Sequence, residues 1–352
     1  MSTAESDQRI PHDVLLRFAT AVFEEGAGCP VQDAATIAEC LVQTNLWGID
    51  SHGVIRIPEY LARFRNGAMN RSPQIAVRAA RGGFEILDAD NAAGYIAGRY
   101  AMDRAIALAH DHTIAAAAIV DSNHCGATAL YARQAAAQGM VGIAMTNVAP
   151  NMSMPGVTRP ITGNNPIAVA IPTFGAFPFC LDISLSAVAG GKLLVAAKRG
   201  EEIPLGWATD ADGNPTTDAR AGFDGFLLPM GGHKGFGLSL AVDLLCGVIT
   251  GGAFQDHIKS MYRYPGDPSH TAHLMLALDP LALMSETRLK SRMAEFVATL
   301  KATPVNPGAP EILLPGELEH RTEQNRRRDG IPLPVGVVDD LNRIGNEINR
   351  SI

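Results

Sequence analysis

Three short segments of the chain concentrate side chains that can move protons and hold anions. The first is Asp50-Ser51-His52-Gly53-Val54-Ile55-Arg56. A helical path through it would place His52 and Arg56, four apart, on one face. An imidazole beside a guanidinium suits a 2-oxo acid. The arginine can grip a carboxylate with two parallel hydrogen bonds while the histidine exchanges a proton with the neighbouring oxygen. Ser51 and Asp50 are the candidates for orienting His52, as the third group of a triad does. The same residues also read as a histidine filling a helix junction beside a surface arginine. The second segment is Asp121-Ser122-Asn123-His124-Cys125-Gly126. It lies between an expected strand and a helix N-terminus, where ligands of open α/β sheets gather and free N–H groups favour anions. A capped loop without chemistry fits it equally well. The third, Gly231-Gly232-His233-Lys234-Gly235, can deliver a lysine to a phosphate or carboxylate at a helix N-terminus, or can be a tight packing turn beside a solvated lysine.

The familiar alternatives are missing from the sequence. No GxGxxG follows a strand, which removes the Rossmann fingerprint, and there is no Walker loop, GxSxG elbow or HExxH helix. His110 and His112 form a pair without a third ligand, so no metal site is expected. A net charge of −7, with Arg326-Arg327-Arg328 as the one dense basic run, argues against a nucleic-acid partner and makes that run a solvated helix face. No apolar run reaches membrane-spanning length, and the polar N-terminus has no signal-peptide core. Five dispersed cysteines read as reduced thiols, so cytoplasm is the expected compartment.

The elements that must position these groups follow from periodicity. Val14, Leu15, Phe18, Ala19 and Val22 mark a first helix, and Asp33 is placed to cap a second that ends near Gly48. A third has Pro58 in its first turn and Gly67 beyond its end. A strand over 84–88 precedes a helix over about 97–110. Strand 114–120, helix 128–138 and strand 141–146 then form a βαβ unit, for which parallel pairing is expected. Strands over 167–171 and 177–183 precede a helix over 186–198. Residues 201–225, rich in Pro, Gly and Asp, mark an excursion or crossover. The apolar run from Phe236 to Ile249 reads as a buried helix, and a final helix starts near Val338.

Taken together, the motifs resemble the malate/L-lactate dehydrogenase type 2 family, which includes ureidoglycolate and sulfolactate dehydrogenases, diketogulonate reductase and reductases of piperideine- and pyrroline-2-carboxylate. The matching stretches are DSHGVIRIPEY (50–60), DADNAAG (88–94), SNHCGA (122–127), GNNPIAVAIP (163–172), LDISLSAVAGGKL (181–193), GWATDADGNPTTD (206–218), PMGGHKGFGLSL (229–240) and PGELEHRTEQNRRRDGIPLP (315–334). They span the chain from about Ala35 to Leu333.

The resemblance implies an α/β, non-Rossmann, L-sulfolactate dehydrogenase-like fold. Such a fold has a large mixed sheet with helices, plus a helical domain built from both chain ends (1–80 with 305–352). Residues 81–135 with 225–304 would then form the substrate core, and 136–224 the cofactor-binding domain. It also implies a homodimer and hydride transfer between NAD or NADP and a small 2-hydroxy or 2-oxo acid. Cyclic-imine reduction and non-catalytic dinucleotide binding are the alternatives. By the same resemblance His52 and His124 share acid–base work, and Arg56 takes the substrate carboxylate. Asn147, Asp182, Ile183, Ser184, Lys234, Pro315, Gly316 and Glu317 fall at cofactor positions, with Ile183-Ser184 departing from the commoner DMA.

Overall fold

A computed structural model describes residues 7–352; most of the polar N-terminal run lies outside that range. The chain begins with β1 (Gln8–Ile10), α1 (His12–Ala21), α2 (Val31–Leu46), two short 3₁₀ turns (Asp50–His52 and Val54–Arg56) and α3 (Ile57–Arg65). It continues through β2 (Ala76–Arg81), β3 (Phe84–Asp88), α4 (Gly94–His112), β4 (Ile114–Ser122), α5 (Ala129–Ala137), β5 (Val141–Thr146), β6 (Ile167–Ile171) and β7 (Phe179–Ile183). The excursion over 201–225 follows α6 (Gly190–Arg199). It carries β8 (Ala208–Thr209) and α7 (Ala219–Asp224), and β9 (Phe226–Leu227) closes it as the second strand of a hairpin. Then come α8 (His233–Asp243), β10 (Thr271–Leu278), α9 (Glu286–Lys301), α10 (Glu317–Asp329), β11 (Ile331–Leu333) and α11 (Val335–Glu347).

Seven strands form one mixed sheet in the order β2-β3-β4-β10-β5-β6-β7. The expected parallel pairing of β4 with β5 does not occur. β10, arriving late in the chain, lies between them and pairs antiparallel with both, and the parallel pair is β3 with β4. The βαβ pattern constrains strand direction only; β4 and β5 do run the same way, but nothing in it forbids a distant strand from entering the gap. Alternate residues of β4 serve two cores, as a period of two requires. Ala115, Ala117 and Ile119 join the main core with α4 and α5, whereas Ala116, Ala118 and Val120 pack with Val242 and Cys246 from the α8 segment. Alanine in these rows lets helices sit close on both faces. On α4 the clearance is tighter still: a Cβ at Gly98 would stand 2.5 Å from the Tyr131 ring of α5.

Both chain ends close the helical part. β1 pairs antiparallel with β11, and Val338, Leu341 and Ile344 of α11 enter the core that Leu15, Phe18 and Ile37 build from α1 and α2. Two local expectations need correction. Asp33 does not cap α2; Pro30 occupies that position, and Asp33 lies in the first turn, where its charge still suits the helix dipole. The run from Phe236 to Ile249 is not buried all round. Leu238, Leu244, Leu245, Val248 and Ile249 are exposed, forming an apolar face on α8 and the π-helical turn that follows it. A helix that is apolar on every side lacks the polar stripe that would have announced its outward face.

At the centre of the sheet, buried His273 of β10 bridges its two neighbours, with Nδ1 2.7 Å from Thr146 Oγ1 and Nε2 2.9 Å from Ser122 Oγ. Burial lowers its pKa to about 4. The folded state therefore resists the proton that an unfolded histidine accepts near 6.5. This contribution to stability is complete above pH 6.5 and is lost as the pH falls towards 4, at a cost of up to about 3 kcal/mol. Thermal unfolding followed between pH 7 and pH 4 is expected to show a falling Tm, and the fall should be shallower in His273→Gln. A parallel pH dependence in the two proteins would remove His273 as its source.

Candidate active site

Gly53, at φ −92° and ψ −150°, separates the two 3₁₀ turns before α3 and breaks the helical path expected from Asp50 to Arg56. Asn45 of α2 fills the space beside it: its Oδ1 accepts from Val54 N at 2.8 Å, and a Cβ on Gly53 would fall 2.1 Å from that oxygen. The turn presents His52 and Arg56 to the loop after β4, and His52 stacks against His124 with ring centroids 5.6 Å apart. Each imidazole is anchored through Nδ1 to a hydroxyl. His52 meets Ser51 Oγ at 2.8 Å, and His124 meets Tyr60 Oη of α3 at 2.5 Å. Both Nε2 atoms are left without a protein partner among the described residues.

Arg56 donates through Nε to the Ser51 carbonyl at 2.8 Å and through Nη1 to Glu59 Oε1 at 3.1 Å, while the Tyr262 ring lies 5.5 Å from its guanidinium carbon. Its Nη2 has no hydrogen-bond partner among the described residues, and Glu59 Oε2 is buried without one. Burial, and then the charge of Arg56, lower the His52 pKa to about 4. Burial pushes His124 well below the ordinary histidine value, reinforced by His52, Arg56, His273 and Arg63. Both rings are therefore neutral at pH 7. Two stacked imidazoles beside a guanidinium can hold one proton between them far more easily than two.

Asp50 does not orient His52. Its carboxylate takes a bidentate pair from Arg326 of α10, at 2.5 and 2.9 Å, together with Asn45 Nδ2 at 2.6 Å. This also corrects the reading of 326–328 as a uniformly solvated face, since the Arg326 side chain is only 14% exposed whereas Arg327 and Arg328 pair locally on the surface. Ser51 keeps its expected place. Buried Arg63 of α3 was missed: it reaches Asn123 Oδ1, Ser269 Oγ and the carbonyls of Tyr264, Pro265 and Asp267, fixing the loop that carries Tyr262. Tyr60 was missed too, although it stands four residues after Arg56, the helical spacing that would have placed it beside the site.

The candidate cofactor residues separate into two groups. Along β7, Cys180 N donates to Pro315 O, and Asp182 accepts from Thr128 Oγ1 at 2.6 Å and Ala129 N at 3.0 Å. Ser184 meets Asn164 and Ser186, and Leu185 O receives Met230 N from the glycine turn. Pro315, Gly316, Asp182, Ile183, Ser184 and the Lys234 turn thus follow one strip past β7. In that turn Gly231 and Gly232 have φ near +60° with open space where a Cβ would stand, and Lys234 is exposed without a salt bridge among the described residues. An open glycine turn carrying a free cation fits the phosphates of a nicotinamide dinucleotide.

Asp182 occupies the N-terminus of α5, so the amides after the His124 loop are not free for an anion as expected. The other two carry structural duties. Asn147 is fully buried, with Oδ1 accepting from Ala272 N at 2.8 Å and Nδ2 donating to Ala253 O and Asp243 Oδ1. Glu317 is held in an ion-pair hub: although burial pushes its pKa up, Lys301, the Leu314 amide and Arg321 hold it at about 2.

Residues 10–342 match the family model described as malate/L-lactate dehydrogenase. The chain is 37% identical to a malate dehydrogenase of Pyrococcus abyssi over 352 residues, covering 98% of this chain and 96% of that one. It is 37% identical to a (2R)-3-sulfolactate dehydrogenase (NADP(+)) of Chromohalobacter salexigens over 317 residues, covering 90% and 92%. The solved structure of sulfolactate dehydrogenase from Methanocaldococcus jannaschii superposes with a TM-score of 0.90 at 31% identity, covering 98% of both chains.

One glycine carries the geometry of the His124 loop. Gly126 has φ +69°, and a Cβ there would stand 2.5 Å from Tyr95 Cε1 and 2.6 Å from its hydroxyl. Gly126→Ala combines a strained backbone with an overpacked ring, for a cost of about 1–3 kcal/mol. We expect a lower Tm and a reduced turnover rate together. Unchanged values of both would show that the loop can move aside.

Proposed function

The chain belongs to the malate/L-lactate dehydrogenase family, and from that premise we propose how its site works. It is an NAD(P)-dependent oxidoreductase that transfers a hydride between nicotinamide and a small 2-hydroxy or 2-oxo acid. The observation that supports the site assignment is the stacked pair of imidazoles, His52 and His124, beside Arg56.

In this reading the substrate carboxylate rests on the unpartnered side of Arg56, and its 2-oxygen faces the free Nε2 atoms of His52 and His124. During oxidation one imidazole takes the hydroxyl proton; during reduction the imidazolium returns it to the carbonyl oxygen. Ser51 steadies His52, and Asp50 acts at one remove by holding the turn through Arg326. Bound nicotinamide supplies or accepts the hydride at C4. Lys234, with Ser184, Ile183, Asp182, Pro315 and Gly316, lines the strip for the dinucleotide, while Asn147 and Glu317, also candidates for the cofactor, hold neighbouring backbone and loops through the contacts already described.

The working division keeps 1–80 with 305–352 as the helical part, 81–135 with 225–304 as the substrate core and 136–224 as the cofactor part. The pairing of β1 with β11 supports the first of these. The exposed apolar face of Leu238, Leu244, Leu245, Val248 and Ile249 supports a homodimer, because such a surface is seldom left to solvent. Five buried, unpaired cysteines support a reducing compartment, the cytoplasm.

A panel of 2-oxo acids and cyclic imines, each run with NADH and NADPH, tests the activity. Turnover of a 2-oxo acid is expected to exceed that of any cyclic imine, and the reverse ranking would reassign the chain as an imine reductase. Arg56 gives the sharper test of the site. Arg56→Lys keeps the charge but cannot hold Ser51 O and Glu59 while still offering a donor to substrate, as the guanidinium does through Nε, Nη1 and Nη2. It should raise KM for the acid roughly tenfold to hundredfold, equivalent to about 1.5–3 kcal/mol. Cofactor affinity should be unchanged and kcat little altered, because a carboxylate contact acts in ground and transition states alike. An unchanged KM would remove Arg56 from the substrate site.

A further inference from the structure

We propose that Glu59 is a specificity-determining residue that makes the site prefer 2-oxo and 2-hydroxy acids with a single carboxylate over dicarboxylic and sulfonated ones. It does so by holding one arm of Arg56 and offsetting its charge. This deepens the proposed hydride-transfer reading and rests on it for the placing of the substrate carboxylate.

The inference starts from what Arg56 has left to give. Its Nε is spent on the Ser51 carbonyl at 2.8 Å, and its Nη1 on Glu59 Oε1 at 3.1 Å. The Tyr262 ring lies over the guanidinium, 5.5 Å from its carbon. Nη2 is the nitrogen left for a substrate. A carboxylate there shares one guanidinium with Glu59, and the two anions stand within the roughly 4–6 Å at which one charge changes the cost of another.

The charges around the imidazoles allow for one such guest. Besides Arg56, the cation acting on His124 is Arg63. Arg63 is 2% exposed and its donors are committed to Asn123, Ser269 and the carbonyls of Tyr264, Pro265 and Asp267, so it contributes a field but no contact. Arg263, next to Tyr262 in sequence, is exposed and joins no hydrogen bond or salt bridge among the described residues, so nothing holds it towards the site. Two arginines against one carboxylate leave a single net positive charge, which one substrate carboxylate neutralises. A second anionic group meets Glu59 with no held cation to answer it. In a short 2-oxo dicarboxylate that group stands only a methylene away from the reacting carbon, so it cannot avoid the pocket. An uncharged remainder meets the Tyr262 ring instead.

The contacts of Glu59 are those of a site residue rather than a structural one. Glu85 engages Arg104 through both carboxylate oxygens, at 2.6 and 2.8 Å. Glu59 gives one oxygen to Arg56 and keeps the other, Oε2, buried with no partner. Although it lies in the first turn of α3, it caps nothing, since that helix has no side-chain cap. A buried oxygen left unsatisfied costs free energy, and proteins carry such costs chiefly where a site requires them.

The test is selectivity between 2-oxobutyrate and oxaloacetate, which differ by a methyl against a carboxylate at the far end. Both are reduced by the full-length protein at saturating cofactor and about pH 8, where Glu59 is ionised even though burial pushes its pKa up. We expect the parent to favour 2-oxobutyrate in kcat/KM by about tenfold or more. Glu59→Gln keeps the shape and an oxygen for Arg56 but removes the charge. In it the KM for oxaloacetate should fall about tenfold further than that for 2-oxobutyrate, with cofactor affinity unchanged. Both acids are read on one preparation, so a smaller folded fraction cancels from the ratio. A parent that prefers oxaloacetate overturns the inference, as does a Glu59→Gln protein with the parent's ratio. If neither acid is turned over, the hydride-transfer reading fails instead. Calorimetric titration of the same two acids into the parent and Glu59→Gln then decides the charge selection by the ratio of their affinities.

Discussion

Asn123 is the contact on which the rest of the site depends. Its Nδ2 donates to Asn91 O, Asn91 Oδ1 and Ala92 O, and its Oδ1 accepts from Arg63 Nη2 and Ser269 N. One buried amide thus ties together the loop before α4, helix α3 and the loop before β10, and it stands next to His124 in sequence. Irregular backbone in a protein interior leaves N–H and C=O groups without ladder partners, and each must be satisfied or it costs free energy. Here an asparagine and an arginine supply those partners. The loop that presents His124 can therefore be buried without being regular.

Satisfying the backbone this way creates an electrostatic environment that the chemistry then uses. Arg63 is buried among carbonyl, amide and hydroxyl oxygens with no salt bridge among the described residues, and its charge adds to those that disfavour a proton on His124. Arg56 adds a second cation, compensated in part by Glu59. Carboxylates that could have balanced the pair are committed elsewhere: Asp50 to Arg326, and Asp182 to the N-terminus of α5. The result is a positive pocket holding two neutral imidazoles. In the proposed function, a substrate carboxylate entering it would meet attraction and bring the negative charge that makes protonation of one ring less costly. Binding and proton affinity are coupled through the same arginine.

How much of this was legible in the sequence depends on whether the cause was local. His52, His124 and Arg56 could be proposed from residue type and spacing, and the structure places the two rings against each other. Gly126 and Gly53 were visible as glycines, but their reasons, the Tyr95 ring and the Asn45 amide, belong to other helices. Tyr60 had a signal in its helical spacing from Arg56, but Tyr95 had none, because a tyrosine on the inner face of a helix looks like core until its hydroxyl has an address. Arg326 was hidden in a run of three arginines that share a helix but not an environment. The insertion of β10 between β4 and β5 was beyond any reading of neighbours, since strand pairing across 271–278 and 114–146 is decided by which row of side chains fills the gap. Asp50 failed for a related reason: adjacency to His52 suggested contact, yet the 3₁₀ turn sends the two side chains to different sides.

A sheet built this way also offers a place for a dinucleotide without a Rossmann turn. The helix after β4, where a Rossmann-like argument would place the phosphates, has its N-terminal amides and partial positive charge met by Asp182. Thr128 is tied to the same carboxylate. An anion at that point would face Asp182 and be repelled. The N-terminus of α8 has the opposite character, because Gly232 offers no side-chain cap and Lys234 in the first turn adds a full charge. In the proposed cofactor site, this contrast would favour phosphates at the Lys234 end of the strip over the Asp182 end. Asp182 bonds to Thr128 and Ala129 at the exit of the His124 loop. Capping α5 with Asp182 therefore has two consequences: it fixes the helix that follows the His124 loop, and in the proposed site it would disfavour phosphates beside that loop.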